Sequence, residues 1–281
     1  MRSILSIILF SCLCCHSLLS QDIHQLKAYA DEQLHRGNFA NALKEYQRVL
    51  FFDDQHQFEG VYSDMAELYF KLGDFENALV YYDFARKATP GDSLKLEYSF
   101  RKILCYFRQG SFLLGLSDLY SLPGSLSPHF EAKKNLYLAI CHFGLDNTGQ
   151  SLQYFAEIVD STAMERISSL FTAFEKHKKK YNPDKLEMMS IFIPGLGQFV
   201  AGDLKSGLNS IFLLTGIAAY SYHTMRIYGI LDGTLVLVTW FYRYYTGGHK
   251  KAYELGVKKI REQRIAAYNQ ILEIVRQHPS H

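Results

Sequence analysis

Two carboxylates near the most apolar part of the chain are the first candidates for chemistry. Asp203 and Asp232 stand on either side of the uncharged stretch 208–222, and a carboxylate beside an apolar segment is a functional candidate. Two such groups held together can serve as general acid and general base. With Gln198 as a third polar group, they define one hypothesis: a membrane-embedded enzyme or transporter component in which the rest of the chain is regulatory.

The glycines around these groups do not fit the loops that would support such an activity. Gly195 and Gly197 lack the third glycine of a dinucleotide-binding loop, and Asp203 stands where a phosphate-binding loop requires lysine. An intramembrane aspartyl protease has aspartate as the fourth residue of GxGD, and Gln198 occupies that position here. We therefore expect no enzymatic activity, with Asp232 serving as a polar group in helix packing.

Metal and cofactor chemistry are not indicated either. The 11 histidines include no HExxH motif, and Cys105 and Cys141 form no CxxC pair, so we expect neither a metal nor a cofactor. The chain has 30 basic and 28 acidic residues, a net charge of +2, which gives no general attraction to nucleic acid. No small-molecule substrate is evident.

A repeat of about 36 residues organises the chain from residue 22 to residue 160. Its turns fall at Gly37, Gly73, Gly110 and Asp146, in steps of 36, 37 and 36 residues. The clearest unit, residues 61–90, has small, aromatic and proline residues at fixed positions: Ala66, Tyr69, Phe75, Ala78, Tyr82, Ala85 and Pro90. This pattern resembles the tetratricopeptide repeat, which implies about four stacked helix pairs, an aromatic core and a concave groove.

The resemblance also implies which residues line the groove, because the exposed faces of the first helices form it. Mixed charge with protruding apolar side chains suits an extended peptide or a partner helix. For Phe100 and Phe107, packing against a neighbouring element is an equal alternative. The expected groove residues are Lys27, Asp31, Leu34, His35, Ser63, Glu67, Phe70, Lys71, Phe100, Arg101, Phe107 and Arg108.

The two cysteines of the repeats occupy equivalent places, five residues before the turns at Gly110 and Asp146. Packed helices lie about 8–10 Å apart, whereas a disulfide requires Cα atoms within about 7 Å. We therefore expect Cys105 and Cys141 to be two buried free thiols.

Residues 1–20 have the composition of an export signal. Arg2 precedes an apolar core at 4–19, and the small Ser20 precedes Gln21 and Asp22. An uncleaved anchor and a lipidated Cys12 are the alternatives. Export predicts that the chain from about residue 22 begins outside the cytoplasm.

A sparsely charged region at 187–246 follows a helical linker at 161–186. The stretches 208–222 and 227–242, with their flanks, approach the roughly 20 residues that cross a bilayer, so we expect a transmembrane hairpin; a buried soluble hairpin is the alternative. The preceding PGLGQ sequence is similar to the PGxGQ motif of small bacterial membrane hairpins. The residues considered for this membrane motif are Pro194, Gly195, Gly197, Gln198, Gly202, Gly207 and Asp232.

The tail at 247–281 has the pattern of a basic amphipathic helix. Such a helix can lie on anionic headgroups, or it can pack on the repeats. Basic residues on both flanks of the hairpin also conflict with export, because positive flanks prefer the cytoplasmic side.

The expected fold is all-α: a tetratricopeptide-like solenoid, a transmembrane helical hairpin and a C-terminal amphipathic helix. The expected function is a non-enzymatic scaffold or adaptor of the bacterial envelope, anchored in the inner membrane with periplasmic repeats. Its expected partners are a protein or peptide in the groove and membrane lipid around the hairpin.

Overall fold

The computed structural model describes residues 22–277, and helices are the only regular secondary structure in that range. The predicted export signal therefore lies outside the described residues. The all-α prediction is confirmed. The chain forms two compact units, the first ending at Ser151 and the second beginning at Leu152.

The first unit consists of helix pairs. Its helices are α1 (Ile23–His35), α2 (Phe39–Phe52), α3 (Gly60–Leu72), α4 (Phe75–Ala88), α5 (Asp92–Gln109), α6 (Phe112–Tyr120), α7 (Pro128–Gly144) and the start of α8 (Thr148–Ala156).

The second unit holds the end of α8 and a longer set of helices. They are α9 (Ser161–Lys180), α10 (Pro183–Phe192), α11 (Leu196–Val200), α12 (Leu204–Tyr228), α13 (Ile230–Val236), a π-helical turn (Leu237–Phe241) and α14 (Tyr242–Gln277). Of the helices within residues 22–277, none combines the length and the apolarity that crossing a membrane requires.

The predicted turns end the first helix of each pair. Gly37, Gly73 and Gly110 have φ of 75°, 80° and 74°, and Asp146 has φ of 62°. This left-handed conformation suits glycine, and aspartate also tolerates it. The four predicted turn residues therefore lie where the resemblance implied that the first helix of each pair ends.

The core of the repeats follows the expected positions. Ala66 and Ala78 are completely buried, as residues at a close helix crossing should be, and Tyr46 and Tyr82 are also buried. The loop that connects the first two pairs is long, and the side chain of Asp53 stabilises it. Its carboxylate accepts the backbone N–H groups of Gln57 at 2.9 Å and Phe58 at 2.8 Å, which fixes the loop at the place where a proline often ends a repeat.

In the second unit, α14 is the central packing element. It begins at Tyr242, several residues before the expected start of the tail, and it packs along α9 and α10. Gly256 permits a close approach, because an added Cβ would lie 2.8 Å from the Cα of Pro183. The segment 161–186, expected to be a linker, supplies the buried Phe171 and Phe174 to this unit.

Candidate functional site

In each of the first two repeats, an equivalent hydrogen bond joins the second helix of the pair to the first. The hydroxyl of Tyr46 donates to Asp31 at 2.8 Å, and that of Tyr82 donates to Glu67 at 2.9 Å. In each pair the residues are 15 positions apart, and the pairs are 36 residues apart. The tyrosine body fills the core while its hydroxyl reaches the carboxylate on the face of the first helix.

These carboxylates belong to a longer row of charged contacts on the first helices. Lys27 on α1 lies 2.7 Å from Asp31 and 3.9 Å from Asp64 on α3. The side chain of Glu67 on α3 pairs with Arg101 on α5.

The row continues through α5 to α7. Arg101 Nε lies 3.4 Å from Glu97, and Glu97 lies 2.6 Å from Lys133 on α7. We call the seven residues the charged row: Lys27, Asp31, Asp64, Glu67, Glu97, Arg101 and Lys133. It contains four acidic and three basic groups, and it spans the first helices of all four pairs.

Burial and neighbouring charges shift the pKa of two carboxylates of the row, Asp64 on α3 and Glu97 on α5. Burial raises the pKa of Asp64 above its usual value, and the nearby Asp31 and Glu67 act in the same direction while Lys27 opposes them. Burial also acts to raise the pKa of Glu97, but Lys133 and Arg101 outweigh it and hold that pKa below its usual value. The α1–α3 end of the row therefore favours a cation, whereas Glu97 is already neutralised.

The polar residues predicted for the groove fall on or beside this row. Lys27, Asp31, Glu67 and Arg101 are its members, and all four are half-buried. The hydroxyl of Ser63 donates a hydrogen bond of 2.8 Å to the carbonyl of Gly60, so it is bound within its own helix.

A second line of predicted groove residues lies near the ends of the first helices. His35, Lys71 and Arg108 are exposed there, each two residues before its turn glycine. Lys71 Nζ lies 5.9 Å from the ring centre of Phe39, and the Arg108 guanidinium lies 5.6 Å from that of Phe75. Each cation therefore stacks on an aromatic ring of the preceding repeat.

The predicted apolar groove residues belong to the core to different degrees. Phe100 is completely buried, with ring contacts to Phe130 at 6.0 Å and Tyr137 at 5.2 Å, so its assignment to the groove was wrong and packing is correct. Phe107 is half-buried against Phe112 and Tyr137. Leu34 and Phe70 are partly buried against the repeat cores.

Sequence reasoning missed Asp64, Glu97 and Lys133. Asp64 is adjacent to the predicted Ser63, and Glu97 and Lys133 lie 36 residues apart, so they occupy equivalent places on α5 and α7. A search for opposite charges at the repeat spacing would have found this pair.

The two cysteines are confirmed as buried free thiols. Burial raises the pKa of Cys105 to about 12 and that of Cys141 to about 12. A thiol that stays protonated at neutral pH is a poor nucleophile, so neither is a catalytic candidate.

The glutamine of the PGLGQ motif is the polar centre of the second unit. Gln198 is completely buried. Its side-chain oxygen accepts from the Ser190 hydroxyl at 2.8 Å, and its amide nitrogen donates to the Gly248 carbonyl at 2.7 Å and to the Ser210 hydroxyl at 3.3 Å. The Ser190 hydroxyl in turn accepts from the Gly197 N–H at 2.9 Å. Gln198 thereby joins α10, α12 and α14, and its role is structural.

The motif glycines allow this close packing. Gly195 has φ of 89°, and a Cβ there would lie 2.6 Å from the Gly207 carbonyl oxygen. A Cβ on Gly207 would lie 2.8 Å from the ring of Phe199, and one on Gly197 would collide with the Leu186 carbonyl. Gly202 has φ of 85° in open space, so it serves the turn alone.

The two carboxylates considered for chemistry stand at opposite ends of α12. Asp203 caps its N-terminus, accepting from the Ser206 N–H at 3.0 Å and the Ser206 hydroxyl at 2.7 Å. Asp232 is exposed on α13, so its expected role in helix packing is wrong, and it precedes Gly233, whose carbonyl accepts from the Ser221 hydroxyl on α12. Since Asp203 and Ser221 are 18 residues apart, about 27 Å separates their levels along α12, and the two carboxylates cannot act on one atom. Across residues 22–277, no group of three metal-binding side chains is assembled.

The hairpin exposes an unusual amount of apolar surface. Within 188–242 the only charged residues are Asp203, Lys205, Arg226 and Asp232. Large exposed apolar patches mark interaction sites on proteins or membranes. The exposed large apolar residues of this region, which we call the apolar face, are Met188, Ile191, Phe192, Ile193, Leu204, Leu208, Phe212, Tyr220, Tyr222, Ile227, Tyr228, Ile230, Leu231, Leu235, Val238, Trp240 and Tyr242.

Comparison with known proteins adds no family to these observations. No protein-family model matches the chain, and no curated protein matches it significantly.

Proposed function

We propose that the chain is a non-enzymatic, membrane-anchored scaffold or adaptor of the bacterial envelope. The first unit binds a protein or peptide along its charged row, and the hairpin of the second unit holds it in the inner membrane with the repeats on the periplasmic side. One observation carries this proposal: the charged row lies in one compact unit, and the apolar face lies in the other.

The charged row supports recognition of an extended partner. It crosses four successive first helices, and its side chains are half-buried rather than fully enclosed. Side chains fixed by ion pairs and by the hydroxyls of Tyr46 and Tyr82 lose little further freedom when a partner binds, which favours affinity. A partner carrying a basic group would meet Asp64, whose ion-pair contact with Lys27 is long, at 3.9 Å.

The composition of α12 supports anchoring in lipid. The helix has no Asp, Glu, Lys or Arg from residue 206 to residue 225, and these 20 residues extend about 30 Å, the thickness of the hydrocarbon layer. Small polar residues lower the hydropathy of α12, but the hydroxyls of two of them form hydrogen bonds within the protein. Ser221 donates to the Gly233 carbonyl at 2.6 Å, and Ser210 receives the Gln198 amide.

The anchor is tested by removing apolar surface without touching packed residues. Phe212 and Leu235 are 70% and 66% exposed on α12 and α13, so the double variant Phe212→Asp/Leu235→Asp should fold but leave the membrane fraction. Leu113→Asp/Leu114→Asp, at residues 66% and 54% exposed on α6, is the matched control and should remain. Equal membrane association of both double variants would contradict the anchor.

The groove is tested by crosslinking in intact membranes. The variant Glu67→Lys/Phe70→Ala reverses one charge of the row and removes an apolar side chain beside it. It should therefore abolish crosslinks between the first unit and its protein partner. Asp232→Asn, at an exposed residue of the other unit, should leave them unchanged. Loss of crosslinks and of cellular function with Asp232→Asn, but not with the groove variant, would support the carboxylates of the hairpin as the active groups instead.

A further inference from the structure

Exposed lysines from three helices lie at the same level at the base of the apolar hairpin. On α10 and α14 this level follows from the contact between Glu187 and His249 at 2.8 Å. Lys185 lies two residues before Glu187, and Lys250 and Lys251 lie one and two residues after His249. Because α10 and α14 are antiparallel, all three lysines lie within about 3 Å of that contact along the helix axes, on the side away from the hairpin tip.

Two further contacts give the same alignment of α10 and α14. A Cβ added to Gly256 would lie 2.8 Å from the Cα of Pro183, and the Tyr245 hydroxyl donates to the Ile191 carbonyl at 2.7 Å. In each contact an earlier residue of α10 meets a later residue of α14, as in an antiparallel pair. These contacts agree with the first to within three residues, or about 4.5 Å.

Lys205 at the start of α12 reaches the same level. Ser210 of α12 faces Gly248 of α14, where an added Cβ would lie 3.4 Å from the serine hydroxyl. Away from the hairpin tip, Lys205 is five residues from Ser210, about 7.5 Å, and Lys251 is three residues from Gly248, about 4.5 Å. The two lysines therefore differ in level by about 3 Å.

The pKa of Asp203 is a second indication that Lys205 and Lys251 are neighbours. Hydrogen bonds from Ser206 are the main cause that holds this pKa below its usual value, and the positive charges of Lys251 and Lys205 act in the same direction. Lysines of two different helices therefore lie near one carboxylate.

These four lysines are available to a partner. All four are exposed. Lys251 has a loose ion pair with Glu254 at 3.7 Å, whereas Lys185, Lys205 and Lys250 have no ion pair within residues 22–277. We call Lys185, Lys205, Lys250 and Lys251 the basic band.

The basic band is the edge of a wider positive region. The antiparallel alignment continues to α9, where the Arg264 guanidinium lies 5.4 Å from the ring centre of Phe174. Between this contact and that of Glu187 with His249, the segments 174–187 and 249–264 run side by side. Together with 203–205 they hold twelve lysines and arginines against six carboxylates. The region therefore attracts anions.

Exposed apolar side chains begin within one helical turn of the basic band. Met188 and Leu208 each lie three residues beyond a lysine of the band toward the hairpin, and they are 59% and 48% exposed. A bilayer is a surface on which phosphate groups directly adjoin hydrocarbon. Nucleic acids and acidic soluble proteins offer anions without that apolar layer, so the position of the band favours phospholipid.

We propose that the basic band binds the headgroup phosphates of anionic phospholipids in the leaflet that the hairpin enters. The proposal rests on the membrane insertion proposed above. At this level the lysine stems can lie along apolar surface while their ammonium groups reach the headgroups. Each lysine close to an anionic bilayer adds to the attraction, which falls off within a Debye length of about 8 Å.

Spin-labelled lipids test the proposal with the full chain. The chain is reconstituted in phosphatidylcholine vesicles that contain a trace of phosphatidylglycerol or phosphatidylcholine labelled near the end of one acyl chain. The fraction of label that the protein immobilises is measured by electron spin resonance. We expect about threefold stronger association of the phosphatidylglycerol label, and loss of most of this preference at about 1 M salt, where the Debye length is about 3 Å.

Matched variants assign the preference to the basic band. Lys185→Gln/Lys205→Gln/Lys250→Gln removes one unpaired lysine from each helix and should lower the preference by at least half, whereas arginine at the same three positions should retain it. Lys44→Gln/Lys71→Gln/Lys87→Gln removes three exposed lysines of the first unit and should leave the preference unchanged.

The outcomes separate this proposal from the anchoring proposal. If neither label is immobilised, the chain is not inserted and both proposals are overturned. If both labels are immobilised equally, or if the glutamine variant of the band keeps the full preference, only the basic-band proposal is wrong. Equal immobilisation together with binding of a soluble polyglutamate peptide that the glutamine variant loses would assign the band to an acidic protein, and the lipid proposal would again be wrong.

Discussion

The hydroxyl of Tyr82 donates a hydrogen bond of 2.9 Å to the carboxylate of Glu67, 15 residues earlier in the chain. The equivalent bond in the preceding repeat has the same sequence separation. In the third repeat the equivalent positions, counted from the turn glycine, hold Leu104 and Leu119. Both polar partners are replaced together there, which avoids leaving one buried polar group unpaired.

We expect Tyr82→Phe to lower the free energy of unfolding of the first unit by about 0.5–1.5 kcal/mol, the net value of one hydrogen bond. The loss stays modest because Glu67 retains its pairing with Arg101. Tyr62→Phe is the control, since the hydroxyl of Tyr62 has no hydrogen bond among the described residues. The labelling rate of Cys105 at pH 8 measures the opening of this unit, and equal rates in the two variants would contradict the assigned bond.

The cysteines give a prediction that needs no mutation. Because burial raises the pKa of both thiols to about 12, we expect almost no alkylation of Cys105 and Cys141 in the native protein at pH 8. Both should react rapidly in urea, where the thiol pKa returns to about 8.5. Mass spectrometry of peptides after a short pulse of iodoacetamide provides the measurement. Rapid native labelling of either cysteine would contradict its burial.

Local sequence rules were sufficient for the first unit because its turns depend on a few residues. Gly73 and Gly110 mark left-handed helix ends, and Ala66 and Ala78 mark a close crossing, so the resemblance to the tetratricopeptide repeat at these residues was enough to predict the pairs. The role of Phe100 could not be derived in this way, because its burial depends on Phe130, 30 positions later in the chain. Repeat geometry placed it on a helix face but did not show what covers that face.

The second unit was less predictable because its contacts are distant in sequence. Gln198 donates to a carbonyl 50 residues away, and no periodicity marks that partner. Likewise, Glu187 contacts His249 at 2.8 Å across 62 residues. The glycine-rich motif indicated tight packing, whereas the identity of the helices that pack there required the structure.

We expect Gly197→Ala to destabilise the second unit by about 1–3 kcal/mol, as overpacking of a tight site does. An added Cβ would meet the Leu186 carbonyl and lie 2.9 Å from the Ala252 Cβ. At Gly216, within α12, nothing lies within 4 Å of the added atom, so Gly216→Ala should be neutral or stabilising by up to about 1 kcal/mol. Urea unfolding followed by Trp240 emission reports this unit, and equal midpoints would refute the tight contact.

Acid should weaken the first unit partly through Glu97. Its pKa in the folded chain is held below the ordinary value of 4.5, so its stabilisation is present above pH 4.5 and is lost as the pH falls through the folded value. We expect Glu97→Gln to lose less thermal stability than the parent chain between pH 7 and pH 3.5. Glu59→Gln, at an exposed carboxylate without an ion pair among the described residues, should behave like the parent. Matching pH profiles for Glu97→Gln and the parent would show that the contacts to Lys133 and Arg101 do not stabilise the fold.

The depth of Trp240 in a bilayer tests the proposed anchor most directly. This residue is the single tryptophan of the chain, it is 49% exposed, and it lies in the π-helical turn Leu237–Phe241 that follows α13. In vesicles containing brominated lipids, we predict the strongest quenching from bromine near the ends of the acyl chains. Stronger quenching from bromine near the headgroups, or no quenching at any depth, would contradict insertion of the hairpin.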